Sequence, residues 1–205
     1  MDMEVPYLRT GRTNQKARTR DALIAAARRL LAEGVTPTVE EAAAEASVGR
    51  TTAYRYFPNS RALLAATYPE IEIRSLLGAD PPEDSLARLE IMAESFTRQI
   101  LEYEPALRAQ LRLALEGEPA GDESLPLRRG RRIKWVKDAL SPLEGRMPEG
   151  ELRRLVLGIG ATLGIEALVW LTDMGGLTRE EAVEVMRSNA RTLLRSALEQ
   201  VESSA

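Results

Sequence analysis

The sequence predicts an all-α fold, and three observations carry that expectation. Apolar residues recur at helical spacing in nearly every segment, helix start and stop signals fall between those segments, and no strand-period alternation persists anywhere in the 205 residues. Hydrophobic residues make up 44% of the chain and charged residues 29%, enough apolar side chain for a sizeable core.

Taken in order, Leu23, Ala26, Ala27, Leu30 and Leu31 line one face of a first helix, which Gly34 ends by tolerating the left-handed conformation. Thr38-Val39-Glu40-Glu41 reads as a capping box: the Thr38 hydroxyl accepts from the amide three residues on, and Glu41 reaches back. A short Ala-rich helix follows to about Ala46, and Ser47-Val48-Gly49 makes a tight turn. Arg50 to Phe57 forms two helical turns, stopped by Pro58-Asn59, and Asn59 caps the next helix, which runs through Leu63 and Leu64. Pro69 has no amide proton for the Ala65 carbonyl, so a helix extending toward Leu77 ends or kinks there.

Asp80-Pro81-Pro82 marks a boundary. Further helices are expected near residues 85–103, 105–116, 127–140, 149–173 and 178–201. Residues 117–126 are acidic and carry Gly and Pro, so they read as a mobile loop. The expected division is a first domain over residues 1–68 and a second over 69–205.

Composition weighs against several classes of function. The chain has no cysteine and no histidine, which removes thiolate chemistry, Ser-His-Asp arrangements and the commonest metal ligand. No paired-carboxylate motif stands out either. An enzyme is therefore not expected, nor a metal or other cofactor. Residues 1–20 lack the apolar run of a signal peptide. The apolar stretch from Leu155 to Leu171 is slightly short for a membrane span, rich in Gly and interrupted by Glu166, so it reads as a buried helix. A cytoplasmic protein without membrane attachment is expected.

The net charge of −3 hides an asymmetry. Residues 1–61 carry 10 Lys/Arg against 7 Asp/Glu, whereas the remainder carries 18 against 24. Arg9, Arg12, Lys16, Arg18 and Arg20 supply most of the basic excess, as a phosphate-binding arm would or, equally, a solubilising tail. A second basic cluster, Arg128, Arg129, Arg131, Arg132, Lys134 and Lys137, comes with no groove-reading motif and reads as a solvated helix face.

Two short helices joined by a tight turn, with polar and basic residues opening the second, form a helix-turn-helix. The N-terminal end of such a second helix reaches base edges in the major groove of double-stranded DNA. Arg50, Thr51 and Thr52 occupy that end: an Arg fork matches guanine O6 and N7, and Thr offers a hydroxyl or a methyl. Tyr54, Tyr56 and Arg61 are candidates for phosphate contacts, and Thr38 lies at a helix N-terminus that favours an anion. The competing interpretation is a plain helical hairpin with Tyr54, Tyr56 and Phe57 as core.

Residues 16–67 resemble the TetR family of bacterial transcriptional regulators. The stretches that carry the resemblance are Ala32-Glu33-Gly34, Thr38-Val39-Glu40-Glu41-Ala42-Ala43, Val48-Gly49-Arg50-Thr51-Thr52-Ala53-Tyr54-Arg55-Tyr56-Phe57, Asn59-Ser60-Arg61 and Leu63-Leu64. The chain departs from the family at Ser47, where Gly is usual, at Gly49, where a Ser or Thr cap is usual, and at Ala53, where Leu is usual. The resemblance implies a homodimeric repressor that a small-molecule effector releases from a palindromic operator. A regulator that is unregulated or controlled by a protein partner is the alternative, and a helical enzyme with a vestigial DNA-binding domain a more distant one.

In such proteins the last two helices form the dimer interface and the middle helices enclose the effector. Leu155, Val156, Ile159, Leu163, Leu168, Val169 and Leu171 suggest a helix buried on nearly every side, with Gly158, Gly160, Ala161 and Gly164 permitting close approach. Ala182, Val185, Met186, Leu193, Ala197 and Val201 suggest a stripe on the last helix. The effector candidates are Phe96, Trp135, Glu166 and Trp170, matched to an apolar or aromatic ligand. Each has a plain core role as its alternative. Glu166, among apolar residues, needs a partner, for which Arg112 or a ligand donor are the candidates.

Overall fold

A computed structural model describes residues 7–68, 73–115 and 130–203. The chain is all-α, with no strand among the described residues. It divides into two compact units, residues 1–70 with 105–127 and residues 71–104 with 128–205.

The first unit opens with α1 (Tyr7–Ala32), followed by α2 (Val39–Glu45), α3 (Arg50–Tyr56) and α4 (Ser60–Thr67). The helix already runs through the basic N-terminal segment, so Lys16, Arg18 and Arg20 sit on α1 and not on a separate arm. Arg20 lies 5.8 Å over the Phe57 ring, a cation–π contact that engages part of that charge within the unit. Gly34 sits at φ +81°, as a helix-ending glycine requires. The capping box forms as expected: Thr38 Oγ1 accepts from the Glu41 amide at 3.1 Å, and the Thr38 amide donates to Glu41 Oε2 at 2.8 Å. Asn59 Oδ1 accepts from the Ala62 amide at 2.8 Å and starts α4. The core of this bundle is Leu23, Ile24, Ala27, Val39, Ala42, Ala43, Ala53, Phe57 and Leu63.

Most of α6 (Glu104–Leu115) also belongs to this unit. Ala106 and Ala109 pack with Leu31 and Leu64, and Gln110 Nε2 donates to the Leu64 carbonyl at 3.1 Å. The free carbonyls at the end of α4 are thus met by side chains, Thr67 receiving Arg28 Nε at 2.5 Å. Pro69, where the helix is expected to end or kink, lies outside the described residues, and those from Ile73 to Asp84 form bends and irregular backbone.

The second unit contains α5 (Ser85–Glu102), α7 (Arg131–Ala139), a 3₁₀ turn (Ser141–Leu143), α8 (Glu149–Thr162), α9 (Ile165–Val169), a π turn (Trp170–Met174) and α10 (Arg179–Ser203). Asp84 caps α5, and Thr178 with Glu181 forms a second capping box ahead of α10. The expected mobile loop at 117–126, together with Arg128 and Arg129, lies outside the described residues. Helix α10 packs against α8 and α5, and α7 against the same two. Arg88 ties α5 to the end of α7 by donating to the Asp138 and Ala139 carbonyls at 2.9 and 3.2 Å.

The single long helix expected over residues 149–173 is broken. It stops at Thr162, and Gly164 is extended, with φ −102° and ψ 170°. The parts on either side are bent by 44°, and no single described helix is long and apolar enough to cross a membrane. Nor is the segment buried all round: Leu157 is 47% exposed, Trp170 63% and Met174 78%. On α10 the buried stripe runs through Ala182, Met186, Ala190 and Leu194 at four-residue spacing, whereas Leu193 faces outward.

Candidate nucleic-acid interface

The connection between α2 and α3 is built by backbone hydrogen bonds. The Val48 amide donates to the Ala43 carbonyl at 2.8 Å, and the Ser47 amide to Ala44 at 3.1 Å. Closing the turn puts Ser47 in the left-handed region, φ +55°, where a residue without Cβ is favoured. Gly49 precedes α3 with no side-chain cap. Helix α3 then divides by face. Ala53 and, just past the helix, Phe57 are buried, while Arg50, Thr51, Thr52, Tyr54 and Arg55 are exposed. An alanine at position 53 fits because that side chain is fully enclosed by the three-helix core.

Five of the seven DNA-contact candidates, Thr38, Arg50, Thr51, Thr52 and Tyr54, are exposed, and Arg50 and Tyr54 meet through Glu40. Tyr56 is half-buried against the core. Arg61, at the start of α4, donates to the Leu113 carbonyl in α6, so its guanidinium serves packing within this unit. Thr38 spends its hydroxyl on the cap, donating to Glu41 Oε2 at 2.9 Å.

Glu40, which the sequence offered only as part of the capping motif, sits at the centre of the exposed surface. Its Oε1 accepts from the Tyr54 hydroxyl at 2.5 Å and lies 2.8 Å from Arg50 Nη2. Arg50 also lies 5.8 Å over the Tyr54 ring. The hydrogen bond from Tyr54, aided by Arg50, holds the Glu40 carboxyl below the usual carboxylate range, and the same bond pushes the Tyr54 phenol up. The hydroxyl proton assigned to a phosphate is therefore directed at Glu40. The signal for this cluster is weak in sequence, because Glu40 and Tyr54 are fourteen residues apart and meet only through the turn.

This geometry, two short helices with a buried inner face and a polar, cation-bearing first turn on the second, defines a helix-turn-helix DNA-binding protein. Residues 23–67 match the family model described as bacterial regulatory proteins, tetR family, a match that supports a DNA-binding transcriptional regulator. No curated protein matches the chain.

Only two of the four effector candidates, Phe96 and Trp135, meet among the described contacts. Phe96 and Trp135 are buried and meet edge to face, ring centres 5.5 Å apart. The Trp135 indole N–H is already bound to the Ile73 carbonyl at 2.9 Å. Trp170 is exposed, and Glu166 is half-exposed because the chain breaks beside it. Glu166 meets Arg132, its oxygens 3.1 and 3.0 Å from Nη1 and Nη2, while Arg112 donates to Thr36 Oγ1 at 2.6 Å. Arg132 is thus an engaged side chain, unlike exposed Lys134 in the same basic cluster.

Proposed function

We propose that the chain is a homodimeric repressor, acting in the cytoplasm, that binds a palindromic operator and is released from it by a small apolar or aromatic effector. The observation that carries the DNA half is the division of α3: its buried face is spent on the three-helix core, and its first turn presents Arg50, Thr51 and Thr52 outward. Two such helices in a symmetric dimer, about 34–36 Å apart, fit successive major grooves. In this reading Arg50 contacts a base and Tyr56 a phosphate, while Thr38, Tyr54 and Arg61 keep the intramolecular bonds described above. The dimer is supported by the outward apolar side chains Leu157 and Leu193. Effector release rests on the family likeness; a hundredfold loss of operator affinity requires about 2.7 kcal/mol of preference for the DNA-incompetent state.

Selection from a random duplex library tests the reading. The expected outcome is a palindrome whose binding weakens steeply with salt, as neutralising several phosphates demands. Arg50→Ala relaxes preference at one base pair by about 1–3 kcal/mol, whereas Tyr56→Phe weakens all duplexes alike. Recovery of no preferred sequence defeats the proposal.

A specific observation favours a second reading of the C-terminal unit, in which it is a solid dimerisation core without an effector. Phe96 packs on Trp135, and the indole N–H already has its partner. A thermal-shift screen separates the two, since a solid core yields no saturable hit.

A further inference from the structure

We propose that Glu40 is a specificity-determining positioning residue: it holds Arg50 for a base edge and withholds it from the DNA backbone. This rests on the DNA-binding reading above and adds to it a residue that would touch no base itself. Three contacts carry it. Arg50 Nη2 meets Glu40 Oε1 at 2.8 Å, the Tyr54 hydroxyl donates to the same oxygen at 2.5 Å, and the guanidinium lies 5.8 Å over the Tyr54 ring. Arg50 is otherwise the most open of these groups, its side chain 73% exposed.

An arginine on an exposed first turn is a long, flexible cation. Left free, it neutralises any phosphate within reach, which strengthens binding to every duplex alike. Paired with Glu40 it carries no net charge, so its share of non-specific attraction is largely cancelled. The pairing leaves most of the fork available, because a guanidinium has five N–H donors and the ion pair occupies one edge. A guanine offers two acceptors, O6 and N7, to the remaining donors. A lone phosphate must instead compete with the carboxylate for the same cation, and it meets the negative charge of Glu40 close by. Tyr54 fixes the carboxylate from the other side, so α2 and α3 together set where Arg50 points. The carboxylate remains ionised throughout the neutral range, since its hydrogen bond from Tyr54 favours the charged form.

The test compares wild type, Glu40→Ala, Arg50→Ala and the double variant on the library-selected duplex and on a scrambled one. In Glu40→Ala, binding to the scrambled duplex is expected to strengthen, its dependence on log salt steepening by about 0.9 as Arg50 engages one more phosphate. Preference at one base pair of the selected duplex falls by about tenfold, within the range a bidentate arginine supplies. In the Arg50→Ala background, Glu40→Ala produces neither change. Glu40→Gln, which keeps the acceptor but not the charge, lies between wild type and Glu40→Ala. A merely structural role lowers the unfolding temperature and weakens both duplexes equally, and that result overturns the proposal. So does an unchanged base preference in Glu40→Ala when wild type selects a sequence. A wild type that selects nothing overturns the DNA-binding reading and this proposal together.

Discussion

Arg132 and Glu166 meet across Gly164. The guanidinium on α7 reaches over the break between α8 and α9, takes both Glu166 oxygens at 3.1 and 3.0 Å, and donates to the Gly160 carbonyl at 2.8 Å. A Cβ at position 164 would overlap Arg132 Nη1 and Glu166 Oε2. A side chain at position 164 would therefore have to displace the ends of Arg132 and Glu166, because the ion pair fills that volume, whereas the extended backbone angles are open to any residue.

Gly164→Ala is accordingly expected to displace the guanidinium and cost about 0.5–1 kcal/mol, the worth of a partly exposed pair. In the Arg132→Ala background the same change is expected to be neutral or mildly stabilising, because Ala restricts the unfolded chain. Denaturant titration of the four proteins gives the coupling directly. An equal cost in both backgrounds shows that backbone strain, not the ion pair, selects the glycine.

Thr38→Ala is expected to destabilise the first unit by about 1 kcal/mol, since it removes the side-chain half of the box. Both reciprocal bonds are formed, at 3.1 and 2.8 Å. Thermal unfolding of full-length protein checks this, with Thr38→Ser as the variant that keeps the cap. A loss of operator affinity without a loss of stability would instead place the hydroxyl on a phosphate.

The two parts of the chain differ in how much the sequence revealed. Around α2, α3 and α4 the signals are local: the Thr38–Glu41 box, the Asn59 cap and Gly34 each act within a few residues, and each is found where the sequence puts it. Glu40 was legible as a helix-start residue but not as the partner of Tyr54, which depends on how the turn folds back. In the second unit the decisive contacts are long-range. Glu166 looked buried because its sequence neighbours are apolar, yet the break at Gly164 turns it toward Arg132, thirty-four residues earlier. Trp170 reads as core by hydropathy and ends up exposed on a π turn, which no periodicity argument anticipates.

Acid should erode one ion cluster in a defined way. Glu90 accepts from Arg191 and, at 3.4 Å, from Arg187, and these contacts, Arg191 first, hold its carboxyl below the usual range. The folded protein therefore binds this proton less readily than the unfolded chain does. The resulting stabilisation is complete above the unfolded value of about 4.3 and is lost as pH falls through the lower folded one. The stability difference between wild type and Glu90→Gln, measured by urea unfolding, is expected to shrink on going from about pH 7 to about pH 3. A gap that stays constant over that range rules out ionisation of Glu90 as its source.

The dimer proposal makes a prediction that turns on two leucines of similar chemistry. Leu163 lies in the apolar, Gly-rich stretch that sequence alone marks as the seam, but it is fully buried within its own unit. Leu157 and Leu193 are 47% and 38% exposed, on the outward side of the α8–α10 pair. The two helices are in contact there, since a Cβ on Gly158 would stand at van der Waals distance, 3.9 Å, from Leu193 Cδ1. An isologous dimer across this face would bury Leu157 and Leu193 of both copies, while a charge at either position in a monomer remains free to reach water. Leu157→Arg and Leu193→Arg are therefore expected to give folded monomers, with helical circular dichroism intact and operator affinity lost, because one half-site alone binds weakly. Leu163→Arg buries an unpaired charge and is expected to unfold the second unit instead. Sedimentation at micromolar concentration, read beside the circular dichroism, distinguishes these outcomes. A wild-type monomer, or a dimer that survives both outward substitutions, eliminates this face as the interface.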